Sequence, residues 1–263
     1  MSPSAARPAT RKGASRAADI AADILAALER GELQSATLTE CLALNQVTLM
    51  RAVFPKLPPT AIRQAEAASQ LGILKRMASI GAILTAQLGA AGIARCQGHP
   101  SDTVRGWACF MAGMQPGLDL NLNQRLAAIR ALADDPHFGV REWAWMAVRP
   151  HLAADLDTSI ALLAGWTASP SERLRRFATE ALRPRGVWCT HIAALKKQPA
   201  QALPLLDALK ADPSAYVQDS VANWLNDAAK DCPDWVRSLC EHWLRGDPPA
   251  ATRRICARAL RSL

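Results

Sequence analysis

Five prolines recur in one register, and that register restricts what the chain can fold into. Pro100, Pro136, Pro170, Pro213 and Pro248 each stand four residues before Val104, Val140, Leu174, Val217 or Thr252. The aligned positions are 36, 34, 43 and 35 residues apart, about one helix pair per unit. The residue before each proline is His99, Asp135, Ser169, Asp212 or Asp247. Asp and Ser suit a helix cap and Pro the first helical position, so a helix is predicted to start at each point. No stretch alternates polar and apolar residues for long, and hairpin dipeptides are missing. Segments such as QRLAAIRAL (124–132) and DTSIALLAGW (157–166) carry the helical period.

The predicted fold class is all-α, a HEAT-like helical-repeat solenoid in one continuous domain. Residues 1–17 read as a disordered basic arm, either a solvated tail or a phosphate contact. Residues 18–96 read as an irregular helical cap, with LGILKRMASIGAILTAQLG a strong helix candidate, and residues 97–263 as the repeats. No apolar run looks long enough to span a bilayer, and no signal peptide is recognised, so a cytoplasmic protein is expected. The seven cysteines form no C-x-x-C pair, and His191 in WCTH stands too far from other ligands for a zinc site. Neither a metal nor a cofactor is expected.

The net charge is +8 and the pI about 9.5, which favours a polyanionic partner, nucleic acid or an anionic membrane. A basic composition alone would give the same total, so placement has to decide. One residue after each aligned position come Arg105, Arg141, Arg175, Gln218 and Arg253. In a solenoid these stack as a ladder, which either pairs with aspartates of neighbouring units or faces DNA. The third unit, SERLRRFATEALRPRGVW, packs Arg173, Arg175, Arg176, Arg183 and Arg185 against Glu172 and Glu180. Arg176, Glu180 and Arg183 share one helical face. Arginine forks match phosphate oxygens, so this unit points to DNA, with Arg149 and Lys230 as further contacts. A solvated helix face is the alternative.

Three runs, FGVREWAWMAVRPHL (138–152), LRRFATEALRPRGVW (174–188) and YVQDSVANWLNDAAKD (216–231), resemble the bacterial DNA alkylation repair proteins of the AlkC/AlkD superfamily. The pattern S-V-A-N-x-L-N-D-x-x-K-D places the likeness nearer the AlkC branch, and it covers Asp102 to the C-terminus. The resemblance implies a HEAT-like fold and excision of cationic alkylated bases, of the 3-methyladenine type, from duplex DNA. Such a base is already a good leaving group, so the enzyme needs a carboxylate near the sugar and aromatic faces near the cation. Where the AlkC-like pattern carries a glutamate five residues before the proline, this chain has Trp145, with Glu142 about one turn earlier. The resemblance therefore makes Glu142 the candidate carboxylate, with Asp227 second. Asn223 matches the position of a tryptophan in AlkD-like members, with Trp224 adjacent.

Trp143 and Trp145 are expected to frame the base, although Trp143 shares its repeat position with Trp107 and Phe177, which favours packing. Trp188, Trp235 and Trp243 are expected in the core, with Trp224 an exception worth testing. The implied partner is damaged double-stranded DNA, bound by a monomer that joins the nucleoid when on DNA. Three functions stay open: an alkylbase DNA glycosylase, a non-catalytic binder of damaged or branched DNA, and a HEAT-type protein-interaction scaffold.

Overall fold

Helices begin where the proline register predicts, but two residues later than expected. The computed structural model describes residues 11–114 and 120–263 and contains no strand among them. The chain divides into two units, 1–108 and 109–263. The first holds α1 (Ala22–Glu29), α2 (Leu38–Ala43), α3 (Gln46–Val53), α4 (Pro59–Ala68) and α5 (Ile73–Gln97), and α6 (Asp102–Met114) starts in it. The second holds α7 (Leu122–Ala133), α8 (Phe138–Ala154), α9 (Leu156–Ala164), α10 (Glu172–Glu180) and α11 (Ala193–Lys197). It continues through α12 (Leu203–Leu209), α13 (Ala215–Ala229), α14 (Pro233–Trp243) and α15 (Ala250–Ala259). There α8, α10, α13 and α15 pack side by side, and α7, α9 and α12 form the other layer. The architecture is the HEAT-like stack of helix pairs. The wide third spacing has a local cause: a loop, α11 and a 3-10 turn at Pro199–Ala202 are inserted between α10 and α12.

The leading turn of each second helix explains the proline. Pro136, Pro170 and Pro213 lie one residue outside the cap, which is His137, Ser171 or Ser214. Each of these caps accepts a backbone N–H of its own helix. The residue before the proline does not cap the helix; it folds over the turn. Asp135 accepts from His137 N at 2.7 Å, Asp212 from Ser214 N at 2.8 Å, and Ser169 and His99 do the same in their units. Asp247 does not, because Pro249 stands where the N–H would be.

The arginine ladder closes the same turns from the other side. Arg105 donates to the carbonyls of His99 and Pro100, both at 2.8 Å. Arg141 donates to those of Asp135 and Pro136 at 2.8 and 2.9 Å, and Arg175 to those of Ser169 and Pro170 at 2.9 and 3.1 Å. Gln218 donates to Asp212 O at 2.8 Å, and Arg253 to Pro248 O. These carbonyls precede the helix and have no partner within it, so a side chain must supply the donors. What Arg105, Arg141, Arg175 and Gln218, all predicted as DNA contacts, share in the structure is turn closure.

In the first unit the chain from residue 11 onward is docked, contrary to an arm extending to residue 17; residues 1–10 of that arm lie outside the described residues. Glu40 is fully buried and takes both terminal nitrogens of Arg11 at 2.6 Å. It also accepts from Ala36 N at 2.7 Å and Ala14 N at 3.1 Å. Thr37 and Thr39 donate to the carbonyls of Ala14 and Ser15. α5 corrects a second expectation. It spans 25 residues and is long and apolar enough to cross a membrane. Its Gly89 has φ +58°, which breaks the helix into two shorter segments.

Two outcomes follow. Arg141→Ala strands two carbonyls, so it costs about 1–3 kcal/mol and lowers the thermal midpoint by several degrees, read by circular dichroism. The Arg11 guanidinium holds the Glu40 carboxyl down at about 2, against the opposing effect of burial and with help from backbone N–H groups. A depressed carboxyl stabilises the fold above its unfolded pKa and loses that contribution as pH falls toward about 2. Glu40→Gln should therefore flatten the acid limb of an unfolding-versus-pH series below about pH 4.5.

Candidate functional site

The facing surfaces of α8, α10 and α13 bring together a chain of charges. Glu180 ends α10 and is nearly buried, so its carboxylate needs partners on every side. Arg183 donates to it at 2.8 Å, the Ser220 hydroxyl at 2.6 Å, and Arg176 lies 3.3 Å away. Burial opposes its ionisation, but the two guanidinium groups and the hydroxyl outweigh that and hold its carboxyl below the usual range. Arg183 reaches on to Asp227 with its ε and terminal nitrogens, at 2.9 and 2.8 Å. Arg176 reaches the other way, to Glu142 at 3.5 Å.

Glu142, with a third of its side chain exposed, lines a crevice of only about 10 Å³ together with Arg141, Trp145, Arg173, Arg176, Glu180 and Tyr216. Trp145 donates its indole N–H to Glu142 at 2.8 Å. Burial among these neighbours, and then the charge of Glu180, push the Glu142 carboxyl up, more than Arg176 and the indole pull it down. Tyr216 lines the same crevice. Its hydroxyl accepts from Arg141 at 3.0 Å, and the Arg176 guanidinium lies 4.3 Å from its ring centre. Tyr216 and Glu180 were not among the predicted site residues. Glu180 was visible as the acid sharing a helical face with Arg176 and Arg183; Tyr216 carried only the signal of being the one tyrosine in the chain.

The remaining predicted residues scatter. Arg149 is corrected to a structural role: it is buried, and its donors go to the carbonyls of Ala181 at 2.7 Å, Arg183 at 2.6 Å and Thr190. It thereby caps the exposed carbonyl end of α10. Trp224 is fully buried and donates to Leu182 O at 2.9 Å, so it reaches no lesion. Asn223 accepts from Arg261, away from the cleft residues. Trp143 is buried against Phe110 and Trp188. Asp227 is buried beneath Arg183, with Lys230 at 3.7 Å. Trp145 is also mostly buried but borders the cleft.

The arginine-rich unit is charge-matched. Arg173 meets Asp134, Arg175 meets Asp212 at 2.6 Å, Arg176 and Arg183 share Glu180, and Arg185 meets Asp231 at 2.9 Å. Arg175, Arg176 and Arg183 are mostly buried, whereas Arg173, Arg185 and Lys230 keep more exposed heads. Glu180→Gln should cost on the order of 3–5 kcal/mol in urea unfolding, because it leaves Arg176 and Arg183 facing each other with one partner fewer.

These helix pairs, with a carboxylate and aromatics between α8, α10 and α13, define a HEAT-like repeat protein with a charged crevice. The family description "DNA alkylation repair enzyme" matches residues 120–257, more than half of the chain. The chain belongs to that family. It is 40% identical over 121 residues to the uncharacterized protein YhaZ of Bacillus subtilis, a match spanning 46% of this chain and 33% of the relative. Among solved structures it is similar to the alkylpurine DNA glycosylase AlkC of Pseudomonas fluorescens, bound to DNA containing an abasic site analog. That match has 30% identity and a TM-score of 0.62, and covers 82% of this chain and 60% of AlkC. AlkD2 of Streptococcus mutans shares the fold at 20% identity and a TM-score of 0.52, over 82% of this chain and 96% of AlkD2. The likeness is thus nearer the AlkC branch. The chain spans a third of YhaZ and three-fifths of AlkC.

Proposed function

We propose that the protein excises cationic alkylated bases from double-stranded DNA, with the cleft at Glu142 as its active site. The observation that carries this reading is Glu142 itself. It is a partly exposed carboxylate, held by Trp145 and Arg176 in a small crevice that Tyr216 also lines. Membership of the repair family and the likeness to a DNA-bound alkylpurine glycosylase support it. In this reading the N-glycosidic bond breaks and its electron pair leaves with the base, neutralising the base's positive charge. The Glu142 carboxylate stabilises the positive charge that develops on the sugar. Water then bonds to the sugar carbon and gives its proton to Glu142. Arg173 and Lys230, the more exposed of the cations here, supply phosphate contacts. The protein works as a monomer in the cytoplasm, at the nucleoid.

Single-turnover release of 3-methyladenine or 7-methylguanine from methylated duplex tests the proposal. Glu142→Gln should slow release on the order of a hundredfold or more, with DNA affinity nearly unchanged. Because burial and Glu180 raise the Glu142 carboxyl, release by the parent should rise with pH through a point above the ordinary carboxylate range. Equal release by parent and variant would remove Glu142 from the mechanism.

A second reading, a binder of damaged or branched DNA without base excision, is favoured by one observation: both oxygens of Glu142 are already engaged, by Trp145 and Arg176. A parent that binds DNA but releases no base would select it.

A further inference from the structure

The inserted loop between α10 and α11 carries a large apolar side chain that packing leaves nearly half exposed. Trp188 was expected in the core, yet it is 44% exposed, and Val187 beside it is 52% exposed. It is the one tryptophan of the described residues among the large exposed hydrophobics. Its backbone has φ +61°, and it is the one non-glycine described residue with positive φ. Such a conformation is strained for a bulky side chain and persists only where its surroundings enforce it.

The surroundings do enforce it. Arg149 binds the carbonyls of Arg183 and Thr190, and Ile192 N donates to Pro184 O at 3.0 Å, which ties both ends of the loop. At Gly186 a side chain would run into Cys189 and the Arg149 guanidinium, so the loop lies flat on its clamp. Arg185 is fixed by Asp231. The loop is rigid at its base and apolar at its tip. Beneath the tip, the Trp188 ring stacks on Trp143 at 6.2 Å and 22° between planes. Trp143 is buried, and its indole N–H has no hydrogen-bond partner. Arg149 also lies over the Trp145 ring at 5.9 Å, so the clamp that fixes the loop adjoins the cleft at Glu142.

We propose that Trp188, with Val187, is a DNA-contacting wedge that stacks on a nucleobase left unpaired or unstacked at the damaged position. The inference rests on the functional reading above and adds a specificity residue to it. An indole backed by a second indole offers a flat, rigid π-face, and bases of any sequence stack on such a face. Insertions within a helical-repeat unit map to loops on one face, often the binding face. A base beside a lesion costs least to unstack, so a preformed stacking surface selects damaged duplex over intact duplex. The partner is a polyanion, which suits a chain of net charge +8.

The test uses the full chain and two labelled duplexes, one with a single tetrahydrofuran abasic site and one intact, read by fluorescence anisotropy. Trp188→Ala should weaken binding of the abasic duplex about tenfold or more and leave the intact duplex nearly unchanged, with Trp188→Phe retaining most of the preference. Thermal midpoints should match the parent, and the Phe variant decides the matter if the Ala variant unfolds. Equal binding of the abasic duplex by parent and Ala variant overturns the proposal, as does a Phe variant as weak as Ala. Base release is measured alongside. A parent that loses abasic binding in Trp188→Ala but releases no base refutes the glycosylase reading and upholds the wedge. A parent that releases base while Trp188→Ala matches it in every assay does the reverse. A parent that binds neither duplex refutes both.

Discussion

A single buried carboxylate organises the second unit. Glu180 has almost no contact with water, and an ionised acid in that position is tolerable only if cations surround it. Arg176 and Arg183 meet that demand, and each then has donors left over. Arg176 extends the chain to α8 through Glu142, and Arg183 extends it to α13 through Asp227. Three helices are thereby registered by one acid. The same arrangement holds Glu142 against Arg176, and burial first, then the charge of Glu180, raises its carboxyl.

The arginines serve three different purposes that one-dimensional spacing does not separate. One set folds back onto leading-turn carbonyls; a second neutralises buried acids; a third leaves its heads at the surface. Most of the third unit's positive charge is consumed internally. Long-range attraction for a polyanion must then draw on cations without acidic partners as well as on the total of +8. Among the described residues, cations without an ion pair include Lys12, Lys56, Arg63, Lys75, Arg130, Lys197 and Arg245. They are spread along the chain and do not concentrate in the unit whose sequence looked most basic.

The helix pairs were legible because proline, cap and apolar period agree, and each is a local signal. The two-residue offset of the helix starts was not, since Asp-Pro and Ser-Pro suit both a cap and a turn preceding the cap; only the hydrogen bonds of Asp135 and Asp212 tell them apart. Glu142 was legible through family likeness, and its indole partner Trp145 lies three residues away on the same helix. Tyr216 was not, because it enters the cleft from α13 and its partners, Arg141 and Arg176, sit on two other helices. Trp188 was read as core because tryptophans usually are; the backbone conformation that turns it outward depends on Arg149, far away in sequence.

Each leading turn is closed by a side chain from its own helix, although Arg175 also pairs with Asp212 of the next unit. Arg141 and Arg175 reach back only five and six residues to their carbonyls. This closure does not depend on how much chain separates one pair from the next. Extra residues between α10 and α12 are accommodated without shifting the closure at α13, where Gln218 performs it in place of arginine. An array built this way can gain or lose connecting segments in evolution while its frame stays intact. New recognition elements can then be grafted at the joints without redesigning the scaffold.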